Sequence, residues 1–277
     1  MDTLVSTHWL ASNLGEPDIA IVDSSAFMPA DGRDPRAEFL EAHIPGARFL
    51  DINQVADKSN PGPHMLPNAA EFGRAMTELG VGRDDRIIVY DNSLLRTAAR
   101  GWFMFGHFGA ERVAILDGGL QKWRSEGRPV ESGEARPREA RSDARERRGD
   151  VVTKEMILAG PGAPILDARG RARFEGTEPD PRPNVGTGHI PGSRNLPFAS
   201  FYRDDGTLKS EGELRGAFEQ LKVDPEAPFI ASCGSGVTAN SLIFAAHRLG
   251  GRNGRLYDGS WSEWGADPGT PKERGPA

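Results

Sequence analysis

Residues 230–240 read Ile-Ala-Ser-Cys-Gly-Ser-Gly-Val-Thr-Ala-Asn, and this stretch decides the fold. An apolar run is followed by a small, glycine-rich segment and then, from about Thr238, by a helical pattern. We interpret it as a buried strand, a tight loop and the start of a helix. A strand that leads directly into a helix is typical of α/β domains, in which ligands collect at the carboxyl ends of parallel strands. Cys233, the only cysteine of the chain, is placed at that end.

The loop after this strand predicts a nucleophilic sulfur. Glycines let successive backbone N–H groups turn towards one point, and the helix directs the positive end of its dipole at the same point. An ordinary thiol with a pKa of about 8.5 is only about 3% thiolate at pH 7, and surroundings of this kind favour the thiolate. We therefore predict that Cys233 is catalytic, although a cysteine that merely packs beside a turn is the alternative. The predicted anion cradle consists of Gly234, Ser235, Gly236, Val237 and Thr238.

The composition is that of a globular protein with room for two domains. The chain has 277 residues, of which 37% are hydrophobic and 27% are charged. Its net charge of −6 gives no electrostatic footprint for nucleic acid. No apolar run approaches the roughly 18 residues of a membrane span. One cysteine excludes an intramolecular disulfide, and the start of the sequence lacks the features of a secretory signal. We therefore expect a cytoplasmic protein without a nucleic acid or membrane partner.

The sequence contains an internal repeat, and it predicts two copies of one domain. Matched blocks occur in the same order and at a nearly constant offset. We place the first domain at residues 1–130 and the second at residues 151–277. Residues 131–150, charged and without an apolar period, are predicted to be a solvated linker. The matched blocks are 5–10 with 152–157, 21–23 with 165–167, 34–36 with 180–182, 43–47 with 189–193, and 115–123 with 256–264.

Each copy alternates short β-branched runs with helical patterns. In the first copy, residues 87–90 and 113–116 are predicted to be buried strands, and residues 71–79 and 97–108 are predicted to be helices. This alternation indicates α/β domains with mostly parallel sheets.

The repeat also serves as an internal control for function. Residues 91–96, Asp-Asn-Ser-Leu-Leu-Arg, align with the cysteine loop and contain neither a thiol nor a glycine. Because a carboxylate there would repel an anionic ligand, we predict that the first copy is inactive. Arg173 has no counterpart in the first copy, which favours a functional role. Arg182 is matched by Arg36, so structure and function both stay open for it. Residues with a partner in the other copy, interpreted as structural, are Asp23, His43, Trp123, Asp167, His189 and Trp264, and Trp261 is interpreted as a core or domain-interface residue.

Several motifs together resemble the two-domain sulfurtransferases of the rhodanese family. They are the cysteine loop at residues 233–239, the segment 173–182, two His-Ile-Pro-Gly turns, and residues 258–264. The resemblance spans both halves of the chain. It implies an α/β fold of tandem rhodanese-like domains, each a mostly parallel five-stranded sheet flanked by helices.

The resemblance also implies a reaction. Cys233 would take sulfur from 3-mercaptopyruvate as a persulfide, release pyruvate, and pass the sulfur to cyanide or to a thiol acceptor such as thioredoxin. Arg173 and Arg182 would bind the substrate, and Ser235 with His64 would relay protons. Asn53 stands where the family has an acidic residue in this relay, with Asp51 two residues away. No cofactor or metal is expected.

Two other functions stay open at this stage. A thiosulfate:cyanide sulfurtransferase is the nearest alternative, but such relatives carry cationic residues after the cysteine, where this chain has Gly234 and Ser235. A persulfide carrier or docking module without turnover is the second alternative, and the intact cysteine loop argues against it. A cysteine phosphatase is disfavoured because Ala239 stands where such an enzyme needs an arginine.

Overall fold

The computed structural model describes residues 1–134 and 137–276 and divides the chain into two compact units. The first unit comprises Met1–Asp57, Leu66–Arg147 and Arg203–Leu208. The second comprises Lys58–Met65, Arg148–Tyr202 and the chain from Lys209 onward. Each unit therefore contains a short segment from the other half of the sequence, which the repeat alone did not predict.

The first unit is built on a parallel sheet of five strands in the order β1-β5-β4-β2-β3. Helices α3 and α4 are the longest of the unit, and α3 begins with a reciprocal cap in which Asn68 and Glu71 each bond the other's backbone N–H. The strands are β1 (Leu4–Val5), β2 (Ile19–Asp23), β3 (Arg48–Phe49), β4 (Arg86–Tyr90) and β5 (Val113–Leu116). The helices are α1 (Thr7–Ser12), α2 (Pro35–Glu41), α3 (Ala69–Glu78), α4 (Ala98–His107) and α5 (Gly119–Ser125), with a 3-10 turn at Pro29–Asp31.

The second unit repeats this architecture with the strand order β6-β10-β9-β7-β8, again all parallel. The strands are β6 (Val151–Val152), β7 (Ile165–Asp167), β8 (Arg194–Asn195), β9 (Phe229–Ser232) and β10 (Gly254–Tyr257). The helices are α6 (Lys154–Leu158), α7 (Arg171–Glu175), α8 (Glu211–Gln220), α9 (Ala239–Arg248) and α10 (Ser260–Trp264), with a 3-10 turn at Phe198–Phe201. The predicted fold class, two copies of a five-stranded α/β domain, is confirmed.

The residues that match between the copies make matching contacts. His43 Nδ1 is bonded to the Phe39 carbonyl oxygen at 2.8 Å, and His189 Nδ1 to that of Phe174 at 2.9 Å. Each imidazole also stacks on the ring of the same phenylalanine. Trp123 and its counterpart Trp264 are buried in the cores of their units, and so is Trp261, which has no counterpart in the first copy. These contacts agree with the structural interpretation of the shared residues.

The segment predicted to be a linker makes specific contacts over most of its length. Its residues 131–147 belong to the first unit. Arg138 forms an ion pair with Asp85, and the N–H of Arg145 donates to the Phe108 carbonyl at 3.0 Å. The described part of the segment forms no helix and is mostly exposed, yet its backbone bonds to the ends of elements in the unit. The boundaries at 130 and 151 stay predictions, and these contacts place most of the segment on the first unit. Among the described residues, no helix is long and apolar enough to cross a membrane.

Candidate active site

Cys233 follows β9 directly, and its side chain is buried, with 1% exposed. The backbone around the sulfur is fixed by the start of α10. The Cys233 N–H donates to Ser260 Oγ at 3.1 Å, and its carbonyl accepts from the N–H of Trp261 at 3.0 Å. Ser260 Oγ also lies 4.0 Å from Cys233 Sγ. The thiol is therefore held at the carboxyl end of the sheet, as the sequence predicts.

The loop after Cys233 presents unpaired backbone donors. Gly234, Ser235, Val237, Thr238 and Ala239 have N–H groups without a hydrogen-bond acceptor among the described residues. All of these residues except Thr238 are buried. Since buried N–H groups in folded proteins are nearly always paired, a run of unpaired ones at a helix start is a site for an anion. Four residues of the predicted cradle therefore present an unpaired N–H group; the fifth, Gly236, does not, because its N–H donates to Ser260 Oγ, and Ala239 adds a donor that was not predicted.

Three neighbouring residues hold the loop in this shape. Gly236 has a φ of 72°, and a Cβ on it would lie 2.5 Å from the Asp258 carbonyl oxygen, so only glycine fits without a shift. The Gly236 N–H donates to Ser260 Oγ at 3.1 Å. The Asn240 amide donates to the carbonyls of Gly236 and Val237 at 2.7 and 2.8 Å. With these carbonyls engaged by Asn240, the unpaired N–H groups are kept in place.

His64 and Ser235, predicted as a proton relay, are brought together in the second unit. Nδ1 of His64 lies 3.0 Å from Oγ of Ser235, although the two residues are 171 positions apart. His64 belongs to the short segment Lys58–Met65 and has a φ of 62°. Asn53, the predicted third member, belongs to the first unit, where its N–H donates to the Asp51 carboxylate at 2.9 Å. The catalytic roles of these residues stay predictions.

Two arginines were predicted to bind substrate. The Nη1 atom of Arg182 lies 3.2 Å from the position that a Cβ on Gly234 would occupy, so the guanidinium contacts the cysteine loop. Arg173 lies in α7, and its guanidinium makes no hydrogen bond or ion pair to any residue that the structure describes. An unpaired cation that is half-buried is available to an anionic ligand.

The first unit shows how the same loop is completed without a ligand. The Asp91 carboxylate, at the position of Cys233, accepts the N–H groups of Ser93 and Ala98 at 3.0 and 2.7 Å. Burial raises the pKa of this carboxyl. The loop between Asp91 and α4 spans residues 92–97, one residue more than residues 234–238. The first copy lacks a cradle for two reasons: a carboxylate repels anions, and this carboxylate already accepts two of the N–H groups that follow it.

Sequence reasoning did not single out three residues that shape the site: Asp180, Asn240 and Ser260. Asp180 and Ser260 lie in motifs that were noted for other residues, and Asn240 follows the cysteine loop in a helical pattern. Their contacts depend on the tertiary fold, so no local pattern indicates them. Within the described part of the chain, no group of three or more His, Cys, Asp or Glu side chains is placed to hold a metal ion.

This arrangement joins a buried thiol, unpaired N–H donors, a hydroxyl–imidazole pair and a guanidinium. Such a set suits a nucleophile that attacks a ligand and carries a negatively charged group on its sulfur. The paired side chains can move a proton, and the guanidinium can hold a carboxylate.

Comparisons with known proteins agree with this geometry. The rhodanese-like domain matches residues 6–126 and 152–267. The chain is 42% identical to human 3-mercaptopyruvate sulfurtransferase over 270 residues, which cover 94% of this chain and 91% of the human protein. It is 40% identical to rat thiosulfate sulfurtransferase, with the same coverage. The crystal structure of SseA from Escherichia coli superposes with a TM-score of 0.85 at 39% identity, covering 95% of this chain and 100% of SseA.

Proposed function

The chain belongs to the rhodanese family, and from that premise we propose that it is a sulfurtransferase that takes sulfur from 3-mercaptopyruvate. The observation that carries the proposal is the buried cysteine under five unpaired N–H groups of its own loop. Donors fixed in this way stabilise negative charge as it develops, because they need no reorganisation during the reaction.

The first half-reaction forms one S–S bond and breaks one C–S bond. The Cys233 thiolate attacks the sulfur of 3-mercaptopyruvate, and the electron pair of the C–S bond passes to C3 and the keto group as the enolate of pyruvate. The proton of the substrate thiol ends on C3 of pyruvate, so the products are pyruvate and a persulfide anion on Cys233. The unpaired N–H groups that follow Cys233 are the donors that would stabilise the outer sulfur of that anion.

The second half-reaction returns the enzyme to its starting state. A thiol acceptor attacks the outer sulfur, gains it as a persulfide, and leaves the Cys233 thiolate. We propose reduced thioredoxin as a protein acceptor of this kind, because its reactive thiol has a pKa of about 7 and is therefore about half ionised at neutral pH. Cyanide accepts the same sulfur in an assay.

The choice of sulfur donor follows from the charges at the loop. Rat thiosulfate sulfurtransferase is almost as similar to this chain as the human 3-mercaptopyruvate enzyme, so overall identity does not decide between the donors. Gly234 and Ser235 add no positive charge beside the sulfur, whereas the Arg182 guanidinium lies against the loop. A substrate whose charge is a carboxylate away from the transferred sulfur fits this pattern better than thiosulfate, whose charge is next to it.

The test compares kcat/KM for 3-mercaptopyruvate and thiosulfate in the wild type and in Cys233→Ser. We expect a preference for 3-mercaptopyruvate of at least about tenfold, or about 1.4 kcal/mol of transition-state binding, and loss of turnover in the variant. A preference for thiosulfate would refute the donor assignment. One sulfur released per chain, without turnover, would identify a carrier instead of an enzyme.

A further inference from the structure

Asp180 is a buried carboxylate with only one of its oxygens in use. Its side chain is 1% exposed. Oδ1 accepts both the backbone N–H of Arg182 at 3.0 Å and the Nη1 of the same residue at 3.2 Å. Oδ2 is buried and has no hydrogen-bond partner among the residues described. A buried oxygen without a donor is costly, which calls for an explanation.

The internal repeat separates the two contacts of Asp180. In the first unit, Asp34 occupies the matching position and accepts the N–H groups of Arg36 and Ala37 at 2.9 and 3.0 Å. The guanidinium of Arg36, however, pairs with Glu134 and not with Asp34. The contact with the backbone is therefore common to both copies and belongs to the turn. The contact with the guanidinium is specific to the copy that carries the cysteine.

The guanidinium of Arg182 lies between this carboxylate and the cysteine loop. Nη1 reaches Asp180 on one side and packs against Gly234 on the other. The Nε and Nη2 atoms of Arg182 make no hydrogen bonds to the described residues, so they are available to a ligand. A long, flexible side chain is thus fixed at one atom and leaves its remaining donors beside Cys233.

We propose that Asp180 is a positioning residue that directs the Arg182 guanidinium at the carboxylate of the sulfur donor. The identity of that donor rests on the proposed function; the positioning itself rests on the contacts. Oδ2 gives the carboxylate a second acceptor for the guanidinium, so that a small rotation of Arg182 towards a bound ligand keeps the ion pair. Gly234 contributes to this positioning, because a Cβ there would lie 3.2 Å from Nη1 and would push the guanidinium by a few tenths of an ångström.

The first test uses Asp180→Asn, which keeps an oxygen for the Arg182 N–H and removes the charge. We expect KM for 3-mercaptopyruvate to rise about tenfold and kcat to change less than about twofold, since binding and not chemistry is affected. Asp34→Asn is the matched control and should leave both constants unchanged. In an Arg182→Gln background, Asp180→Asn should have no further effect. The proposal would be overturned by an unchanged KM in Asp180→Asn. It would also be overturned if the effects of Asp180→Asn and Arg182→Gln on KM multiplied in the double variant.

A second test does not depend on the sulfur donor. Iodoacetate and iodoacetamide alkylate the same thiol, but only iodoacetate carries a carboxylate. The alkylation rate of Cys233 by iodoacetate, divided by its rate with iodoacetamide, therefore reports how well a cation is directed at a carboxylate. Removing the negative charge of Asp180 would by itself raise this ratio, because iodoacetate would be repelled less. Loss of positioning lowers it, and we expect Asp180→Asn to lower it about threefold or more. A higher or unchanged ratio would contradict the proposal.

These readouts distinguish failure of the proposal from failure of the proposed function. If the wild type does not turn over 3-mercaptopyruvate, the donor assignment fails, and the alkylation ratio still tests Asp180. If Asp180→Asn lowers the unfolding midpoint, Asp180→Ser is used in its place, because a serine hydroxyl can also accept the backbone N–H of Arg182. An unchanged ratio in a folded Asp180→Ser variant would then overturn the positioning role.

Discussion

Replacing Gly236 by alanine should disrupt the second unit and its loop together. The residue has a φ of 72°, which costs an L-residue about 1–2 kcal/mol. The new Cβ would lie 2.5 Å from the Asp258 carbonyl and 2.8 Å from its carboxylate, so the loop or the start of α10 must move. Overpacking of this kind costs about 1–3 kcal/mol. The expected loss of unfolding free energy is therefore about 2–5 kcal/mol, a fall in the unfolding midpoint of about 10 °C.

The assay combines thermal unfolding with kcat/KM for 3-mercaptopyruvate. Because Gly236 lies between residues that carry the unpaired N–H groups, we expect its displacement to lower kcat/KM by about a hundredfold or more at a temperature where the variant is folded. Gly216→Ala in α8 is the control, since a Cβ there meets nothing within 4 Å. It should stabilise the helix by about 0.5–1 kcal/mol and leave activity unchanged. A Gly236→Ala variant with a wild-type midpoint and wild-type activity would show that the loop is not held as described.

Three further changes test other parts of the structure. Ser235→Ala removes the hydroxyl next to His64 and should lower kcat, measured at a saturating concentration of 3-mercaptopyruvate, by about 10²-fold. An unchanged kcat would exclude the proton relay. Asn240→Ala removes two hydrogen bonds to loop carbonyls and should lower kcat/KM about tenfold. Alanine is the residue at the matching position of the first copy, Ala99. Wild-type kinetics would show that the loop holds its shape without these bonds. Burial raises the pKa of Asp23 to about 7, so the folded state binds more protons than the unfolded state between about pH 4 and 7. The unfolding free energy of the wild type should therefore fall by up to about 4 kcal/mol as the pH rises from about 4 to 7. Asp23→Asn should reduce this pH dependence, measured by denaturant titrations at several pH values. A pH dependence that the substitution leaves unchanged would contradict the raised pKa of Asp23.

Much of the fold was predictable because the chain encodes it twice. The matched blocks indicated two domains, and the alternation of strands and helices indicated parallel sheets; both sheets have the same strand order. The loop around Cys233 was predictable for a local reason, since glycines and a helix start follow the strand directly.

Contacts between distant residues were less accessible. The family resemblance suggested His64, but only the fold shows that residues 58–65 belong to the second unit. The role of Asp180 depends on where one guanidinium atom points, and the sequence shows only that an aspartate precedes an arginine by two positions. No periodicity reports such contacts, because they are set by packing after the elements have formed.

The unpaired donors of the cysteine loop also bear on the lifetime of the protein. In the first unit, Asp91 completes the corresponding loop permanently as part of the chain. In the second unit, the unpaired N–H groups of the loop would gain an acceptor only from the sulfur that the proposed reaction places on Cys233. Whatever binds the folded state alone stabilises it, so the catalytic cycle is also a cycle of stability. By this linkage, the persulfide form of the second unit should have a higher unfolding midpoint than the free-thiol form. The sulfur donor of the proposed reaction should thus affect the thermal stability of the second unit as well as its rate of turnover.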